Sequence, residues 1–572
     1  MKNFKETANF IWSIADLLRG DYKQSDYGKV ILPLVVIRRL DSVLDGTKPK
    51  VLKKLDEVKA MKVQNLDPIL NKVAGYNFHN KSQFNFDKLV ADPNNIAANL
   101  RNYINGFSED AREIIEQFEF DNQITKMDDN NLLFMVVKRF QEVDLHPNKI
   151  SSMEMGYLFE ELIRKFAEIS NETAGEHFTP REVIRLMINL LFLNDREILT
   201  KKGIVKTIYD CCAGTGGMLS VAEEYLHELN PDARLEVFGQ ELNPESYAIC
   251  KSDMIIKGQN ASNIKKGNSI SEDKLPTEKF DYLITNPPFG VKWEKYSKQV
   301  KEEHEKDGHG GRFGAGLPSV SDGSLLFLMH LMSKMKTEGS RLAIVFNSSP
   351  LFSGSPSTAK NESSVRQWVI ENDYLEAVIA LPNQLFYNTG IGTFIWIISN
   401  NKPKNRKGKV QLINAEAYFK KMTKSLGNKR NELSEEHIKQ ITRLYGSFKE
   451  TDESKLFDNT DFGYKKITVE RPEYDSKGKI ILDKNKKPKA DSSLRDTENI
   501  PLKVDIDTYM KAEVLPHVPD AWVDDSKTKI GYEINFTKYF YQYKPLRSLQ
   551  DIKKDILALE QETDGLIKGV IA

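Results

Sequence analysis

Within four positions, Asn286-Pro287-Pro288-Phe289 brings together a carboxamide, two prolines that withhold backbone N–H groups, and an aromatic ring. That set suits a planar amine. The Asn286 side-chain oxygen and the Pro287 carbonyl can each accept one N–H of an exocyclic NH2 group, while Phe289 stacks on the ring that bears it. With both hydrogens held, the nitrogen lone pair turns out of conjugation toward an electrophile. The tetrad follows the apolar pattern of Phe280 to Ile284, which places it at the carboxyl end of a predicted strand. In open α/β sheets that end is where ligands bind. Alone, the four residues read equally as a proline-terminated strand entering a loop, so the chemistry needs a second site upstream.

Val205 to Asp210 reads as a strand and is followed by Cys211-Cys212-Ala213-Gly214-Thr215-Gly216-Gly217. Met218, Leu219, Val221, Ala222, Tyr225 and Leu226 then recur at helical spacing. Strand, glycine turn and helix form the nucleotide-binding arrangement, in which glycines let the backbone approach a ligand. The spacing is Asp-x-x-x-Gly-x-Gly-Gly, neither the dinucleotide Gly-x-Gly-x-x-Gly nor a Walker loop. A second strand, Leu235 to Gln240, ends on Glu241, a carboxylate placed to accept both hydroxyls of a ribose. Gly267-Asn268-Ser269 follows, and Asn268 could hydrogen-bond an adenine edge. Each piece alone has a plain reading as a turn or a solvated acid. Their order and spacing together do not.

These residues resemble the S-adenosylmethionine-dependent amino-methyltransferases. Upstream, Gly175-Glu176-His177-Phe178-Thr179-Pro180-Arg181 stands before an apolar helix and is similar to the amino-terminal cofactor motif of the gamma-class DNA adenine methyltransferases. With the flanking sequence, the chain resembles the methylation subunit of type I restriction–modification systems over essentially its whole length, most specifically between about residues 150 and 400. One position departs: that family commonly has proline where this chain has Cys211, and no catalytic consequence is expected. The resemblance implies S-adenosyl-L-methionine as cofactor, held by Glu176, His177, Phe178, Thr179, Pro180, Arg181, Asp210, Gly214, Thr215, Gly216, Gly217, Glu241 and Asn268, with no metal. Asn286, Pro287, Pro288 and Phe289 would present N6 of a flipped-out adenine. It also implies double-stranded DNA, a DNA-specificity subunit and a restriction (nuclease and translocase) subunit as partners, with two copies of this chain per complex. N4 of cytosine, an RNA guanine amine and a protein glutamine amide present similar groups, and a non-catalytic scaffold would keep the same fold. A C5-cytosine enzyme needs a thiolate, typically after proline, and none of the three cysteines follows one.

Later segments fit the same α/β plan. Arg341–Phe346, Leu375–Pro382 and Thr393–Ile398 read as strands, and Asp322-Gly323-Ser324 opens an apolar helix. Phe327, Phe394 and Trp396 are expected in the core, whereas Phe386, in the loop from Pro382 to Gly392, fits core and base pocket alike. The expected fold is α/β: a Rossmann-like S-adenosylmethionine-dependent methyltransferase domain, an all-helical amino-terminal domain and a helical tail. The boundaries fall at 1–150, 151–450 and 451–572, and the tail has a hairpin-like pair, Tyr464–Arg471 with Lys479–Leu482. Ser548 and Asp551 resemble a capping box. Beyond them Leu549, Ile552, Ile556, Leu559, Leu566 and Ile567 form an apolar stripe that docks on its own domain or on another chain. In the family, such a helix packs on the specificity subunit.

At 572 residues, two or three domains are expected. No basic–apolar–small signal pattern opens the chain, no apolar run approaches about twenty residues, and the cysteines lack zinc or redox spacing, so a cytoplasmic location without membrane contact is expected. Lys plus Arg and Asp plus Glu both number 82, so the formal charge is zero and a partner is expected to do much of the DNA gripping. The stretch from Lys402 to Arg430 is basic, with Glu416 its only acid. It reads as a solvated loop or as a contact to a nucleic-acid backbone.

Overall fold

The computed structural model describes residues 2–59, 65–170, 179–387, 389–484, 486–541 and 548–571. Glu176, His177 and Phe178 therefore lie outside the described residues.

Nine strands build the main sheet: β1 (Val205–Asp210), β2 (Arg234–Glu241), β3 (Ile264–Lys266), β4 (Tyr282–Thr285), β5 (Arg341–Phe346), β6 (Leu375–Ala380), β7 (Phe394–Ser399), β8 (Lys409–Asn414) and, after the short ribbon of β9 (Lys420–Leu426) and β10 (Lys429–Glu432), β11 (Ser454–Asp458). The order is β11-β8-β6-β7-β5-β4-β1-β2-β3. All neighbours run parallel except where β7 inserts antiparallel between β5 and β6 and β11 lines the edge of β8. β5, β6 and β7 are buried at every position, which explains their largely apolar sequences, the buried Arg341 of β5 being paired with Glu376 of β6 at 3.1 Å. From β1 the chain winds outward to β2 and β3, then returns to lay β4 on the other side of β1. That reversal opens a crevice at the carboxyl ends of β1 and β4.

Among the described residues the first 199 form helices and no strand. Their centre is the helix Tyr27–Leu44, buried on nearly every face, as expected of a helix apolar all round. Its polar groups are matched: Asp41 accepts from the Tyr103 hydroxyl at 2.6 Å and from Arg38 at 2.6 Å. One continuous apolar core joins these helices to the sheet layer. Lys251 of the helix Pro244–Ile256 meets Glu113 at 2.7 Å, so the helical region supports the element that follows β2.

β12 (Gly463–Glu470) begins a second, smaller sheet. It pairs antiparallel with β13 (Asp496–Pro501) on one side and with β14 (Trp522–Val523) and β15 (Lys529–Tyr532) on the other. The hairpin expectation was half right. Tyr464–Arg471 lies along a strand, but its partners come from farther down the chain. The turn at Asp475–Gly478 is local, closed by Asp475 N–H to Lys479 O at 2.9 Å and a bridge from Tyr474 to Ile480. Strand β13 outcompetes the local pairing because Ile467 and Ile500 share a small apolar cluster with Met510 and Val514.

Residues Asn535–Ala572 form a separate unit. In it Phe536 stacks on Phe540 at 4.9 Å, and the helix Leu549–Ile571 is capped at its start by Ser548, which accepts from Asp551 N–H at 3.1 Å and donates to its carboxylate at 2.6 Å. Leu549, Ile556 and Leu559 are exposed there. The side chains of Leu566 and Ile567 lie outside the described residues.

Candidate active site

At the carboxyl ends of β1, β2 and β4 lies a cavity of about 490 Å³, a size suited to a small-molecule ligand. Its floor is the glycine turn, with Cys212 and Gly214. One wall is the start of the helix after β2, where the Asn243 side chain accepts from Ser246 N–H at 2.9 Å and Pro244 opens the first turn. Glu241 stands at the tip of β2. Its carboxylate accepts from Gly214 N–H and Asn243 N–H, both at 2.7 Å, and keeps capacity to accept from a ligand hydroxyl. Burial raises the Glu241 carboxyl above its usual range, against those backbone hydrogen bonds.

The glycines divide the labour. Gly216 has φ +84°, and a Cβ there would lie 2.8 Å from Cys250 Sγ, so this position admits no side chain. Gly214 at φ +53° has open space before it. Gly217 O accepts from Arg181 Nη1 at 2.9 Å, and Arg181 Nη2 reaches Glu160 at 2.9 Å. Arg181 therefore ties the turn to the helix Ser152–Ser170 from behind. Pro180 caps the helix Arg181–Phe192. Thr179, Asp210, Gly214, Thr215, Gly217 and Asn286 line a small recess beside the main cavity, which shares Gly214 and Asn286.

Asp210 ends β1 fully buried, accepting from Cys212 N–H at 2.9 Å and from the Thr285 hydroxyl at 2.7 Å. Burial pushes its carboxyl up to about 7, assisted by the nearby Glu241 and opposed by those two hydrogen bonds. Thr285 precedes the tetrad, so the two strand tips are linked beneath the site. Asn286 is buried and lines the main cavity together with Pro288, while Pro287 is buried and Phe289 half-buried. Phe289 meets Phe386 edge to face, centroids 6.4 Å apart. Phe386, which the sequence left between two roles, is thus buried and in contact with the tetrad.

The region of residues 151–466, more than half the chain, matches the family model described as N-6 DNA Methylase. The chain belongs to that family. Residues 7–140 match a second model, described as HsdM N-terminal domain. The chain is 26% identical over 486 residues to the type I restriction enzyme MjaIX methylase subunit of Methanocaldococcus jannaschii, covering 81% of each. It is 28% identical to the MjaVII methylase subunit of the same organism over 62% of this chain and 58% of that one. A methyltransferase subunit of a type I restriction-modification system from Streptococcus thermophilus shares the fold, with TM-score 0.62 and 24% identity over 80% of this chain and 97% of that one.

In this N-6 DNA methylase the sequence did not reveal the outer cavity walls. Leu242, Ile270, Val291, Trp293, Tyr296 and Phe327 supply them. Phe327 was expected in the core and is buried, yet it also faces the cavity. Trp293 is fixed by its Nε1 donating to Ser319 O at 2.8 Å. Asn268 lines the cavity, but its side-chain oxygen accepts from Ile270 N–H at 2.9 Å and Ser271 N–H at 3.2 Å, shaping the turn after β3. Arg312 holds the same turn, donating to Ser269 O at 2.7 Å and Ile270 O at 2.9 Å while paired with Glu303. No motif announced Arg312, because those two carbonyls lie 43 and 42 residues away along the chain.

The basic stretch splits. Lys402 is buried on Asp373 and Arg406 against Glu376, while Lys429 joins Glu182, Leu385 O and Asn431 O. These three are internal, so neither a solvated loop nor a backbone contact describes the whole stretch.

Proposed function

We propose that this chain is the modification subunit of a type I restriction–modification system, which transfers a methyl group from S-adenosyl-L-methionine to N6 of an adenine flipped out of duplex DNA. The observation that carries the reading is the shared cavity: Asn286 and Pro288 of the tetrad line the same space as Gly214 and Glu241. The relatives named above are restriction-enzyme methylase subunits, which favours DNA over RNA or a protein amide.

The residues fit the cofactor. Glu241 would accept the ribose hydroxyls, the apolar pair Leu242 and Ile270 and the neighbouring Asn268 would receive the adenine, and the recess of Thr179, Asp210 and Thr215 would take the amino-acid end. Arg181 and Gly216 act by holding the glycine turn. Glu176, His177 and Phe178 belong to the same motif as Thr179 and are assigned to the cofactor by that motif alone, since they lie outside the described residues. Bound there, S-adenosyl-L-methionine supplies a methyl group already activated by its sulfonium. No covalent intermediate on the protein is needed, so catalysis is orientation and charge stabilisation.

The Asn286 side-chain oxygen and the Pro287 carbonyl accept the two hydrogens of the adenine amine. Phe289 stacks on the base, offsetting an unstacking cost of about a few kcal/mol. On methyl transfer the amine would become cationic, and those two acceptors would stabilise the charge until its extra proton passes to water. A carboxamide is a poor base, so Asn286 orients and does not deprotonate.

The amino-terminal helices to about residue 150, the catalytic region, which runs past 450 to include β11 of its sheet, and the tail form the three functional parts. A DNA-specificity subunit, a restriction subunit and a second copy of this chain complete the complex in the cytoplasm. Among the described residues no helix is long and apolar enough to cross a membrane. The test is transfer of labelled methyl from S-adenosyl-L-methionine to duplex DNA, RNA and protein extract. Label on adenine of duplex DNA is expected; label confined to RNA or protein would overturn the proposal.

A further inference from the structure

Five cations and one acid fall between residues 420 and 432, in a chain whose net charge is zero. They occupy the ribbon of β9 and β10, whose strands pair antiparallel from Leu426 opposite Lys429 to Lys420 opposite Glu432. Lys429, beside the Gly427-Asn428 turn that joins the two strands, is buried. Lys420, Lys421, Lys424 and Arg430 are exposed, and among the described residues none of the four has an ion-pair partner.

An isolated two-stranded ribbon is marginal in water, so something must hold it. The anchor is the loop after β6. Asn428 N–H donates to Tyr387 O at 2.8 Å, Arg430 N–H to Gln384 O at 2.9 Å, and Asn431 Nδ2 to Asn383 O at 2.9 Å. Lys429 adds Leu385 O at 3.0 Å and the Glu182 carboxylate. That loop carries Phe386, which packs on Phe289 of the tetrad. The ribbon is therefore fastened to the wall of the acceptor-base site while presenting unpaired cations, with the hydroxyls of Thr423 and Ser425 exposed between them.

We propose that the β9–β10 ribbon grips the phosphate backbone beside the flipped base through Lys420, Lys421, Lys424 and Arg430. This rests on the reading of the site as a DNA methyltransferase. Such contacts set register without reading sequence. The anchoring hydrogen bonds would transmit that register to Phe386 and the tetrad.

The experiment uses the full chain co-expressed with the products of its neighbouring genes, and a labelled 30-base-pair duplex of mixed sequence, over a salt series. K420Q/K421Q/K424Q/R430Q should bind about tenfold or more weakly at low salt. The slope of log affinity against log salt should fall by about 1 for each lost phosphate contact. K420R/K421R/K424R should restore the lysine contribution, and K404Q/K407Q, in the same basic stretch at the far end of the sheet, should change nothing. Unchanged affinity and slope in the four-fold variant, with the unmutated complex binding normally, would overturn the ribbon's role alone. Loss of a co-purifying protein with the slope unchanged would overturn it too, marking a protein-docking surface. An unmutated complex that neither binds nor methylates duplex DNA would instead overturn the methyltransferase reading.

Discussion

β1 and β4 are stitched together at both ends by an aspartate and a threonine, and the two stitches behave in opposite ways. At the amino end, Asp281 accepts from the Thr207 hydroxyl at 2.9 Å, from Lys206 at 2.8 Å and from Lys336 at 2.7 Å. Burial raises its carboxyl, but the hydrogen bonds from Lys206, Lys336 and Thr207 outweigh that and hold it down at about 2. At the carboxyl end, Asp210 has Thr285 and one backbone N–H and, among the described residues, no bonded cation, so burial carries it up to about 7. One end is neutralised from within. The other is left with charge for a ligand to answer. The larger open groove, about 1140 Å³, lies at the neutralised end among Lys206, Lys279, Asp281 and Lys336, which shows that cavity size alone does not mark the site.

The largest expected effect lies at the carboxyl end. Asn286→Ala or Phe289→Ala should lower the rate of methyl transfer by about 10²–10³-fold while calorimetry finds cofactor affinity kept. Loss of cofactor binding in both would break the assignment of roles. Next come the two aspartates. Asp281→Asn should lose about 2 kcal/mol of unfolding free energy at pH 7. Its carboxyl is depressed when folded, so that stability is present above about pH 4 and is lost as pH falls toward 2. Asp210→Asn should have the opposite sign. A carboxyl raised to about 7 in the folded state weakens the fold as pH rises from about 4 through 7, so the amide should gain about 1–3 kcal/mol at pH 8. Denaturant titrations at pH 5 and pH 8 measure both, and equal signs would erase the contrast.

A smaller effect concerns affinity. Deprotonation of Asp210 adds negative charge beside the cavity, so binding of the cationic donor should strengthen by a few-fold as pH rises through about 7. Calorimetry across pH 6 to 8 should show that inflection in the unmutated chain and none in Asp210→Asn. The smallest is a null result: K404Q/K407Q, at the groove of the amino end, should leave methyl transfer unchanged within about twofold.

The amino-acid sequence carries part of this asymmetry on its face. Strands β1 and β5 begin and end where the sequence places them, because the glycine turn bounds the first and polar residues bound the apolar run of the second. The strand read from Phe280 starts later, at Tyr282, since Phe280 bridges to Met335 instead of continuing the ladder. The glycine turn, Glu241 and the tetrad are legible because each chemistry is carried by neighbours in sequence. Trp293, Tyr296 and Arg312 are not: their roles come from an insertion after β4 folding back on the turn after β3, and no local pattern encodes that. Lys402 and Arg406 look solvated because their partners Asp373 and Glu376 sit on other elements.

A crystal structure of the chain with S-adenosyl-L-methionine tests the central claim most directly. The ribose should lie on Glu241 and the donor methyl should face the 286–289 turn, with room for a base whose amine would come within about 3–3.5 Å of that methyl. A donor seated elsewhere, or a methyl turned away from Asn286, would contradict it.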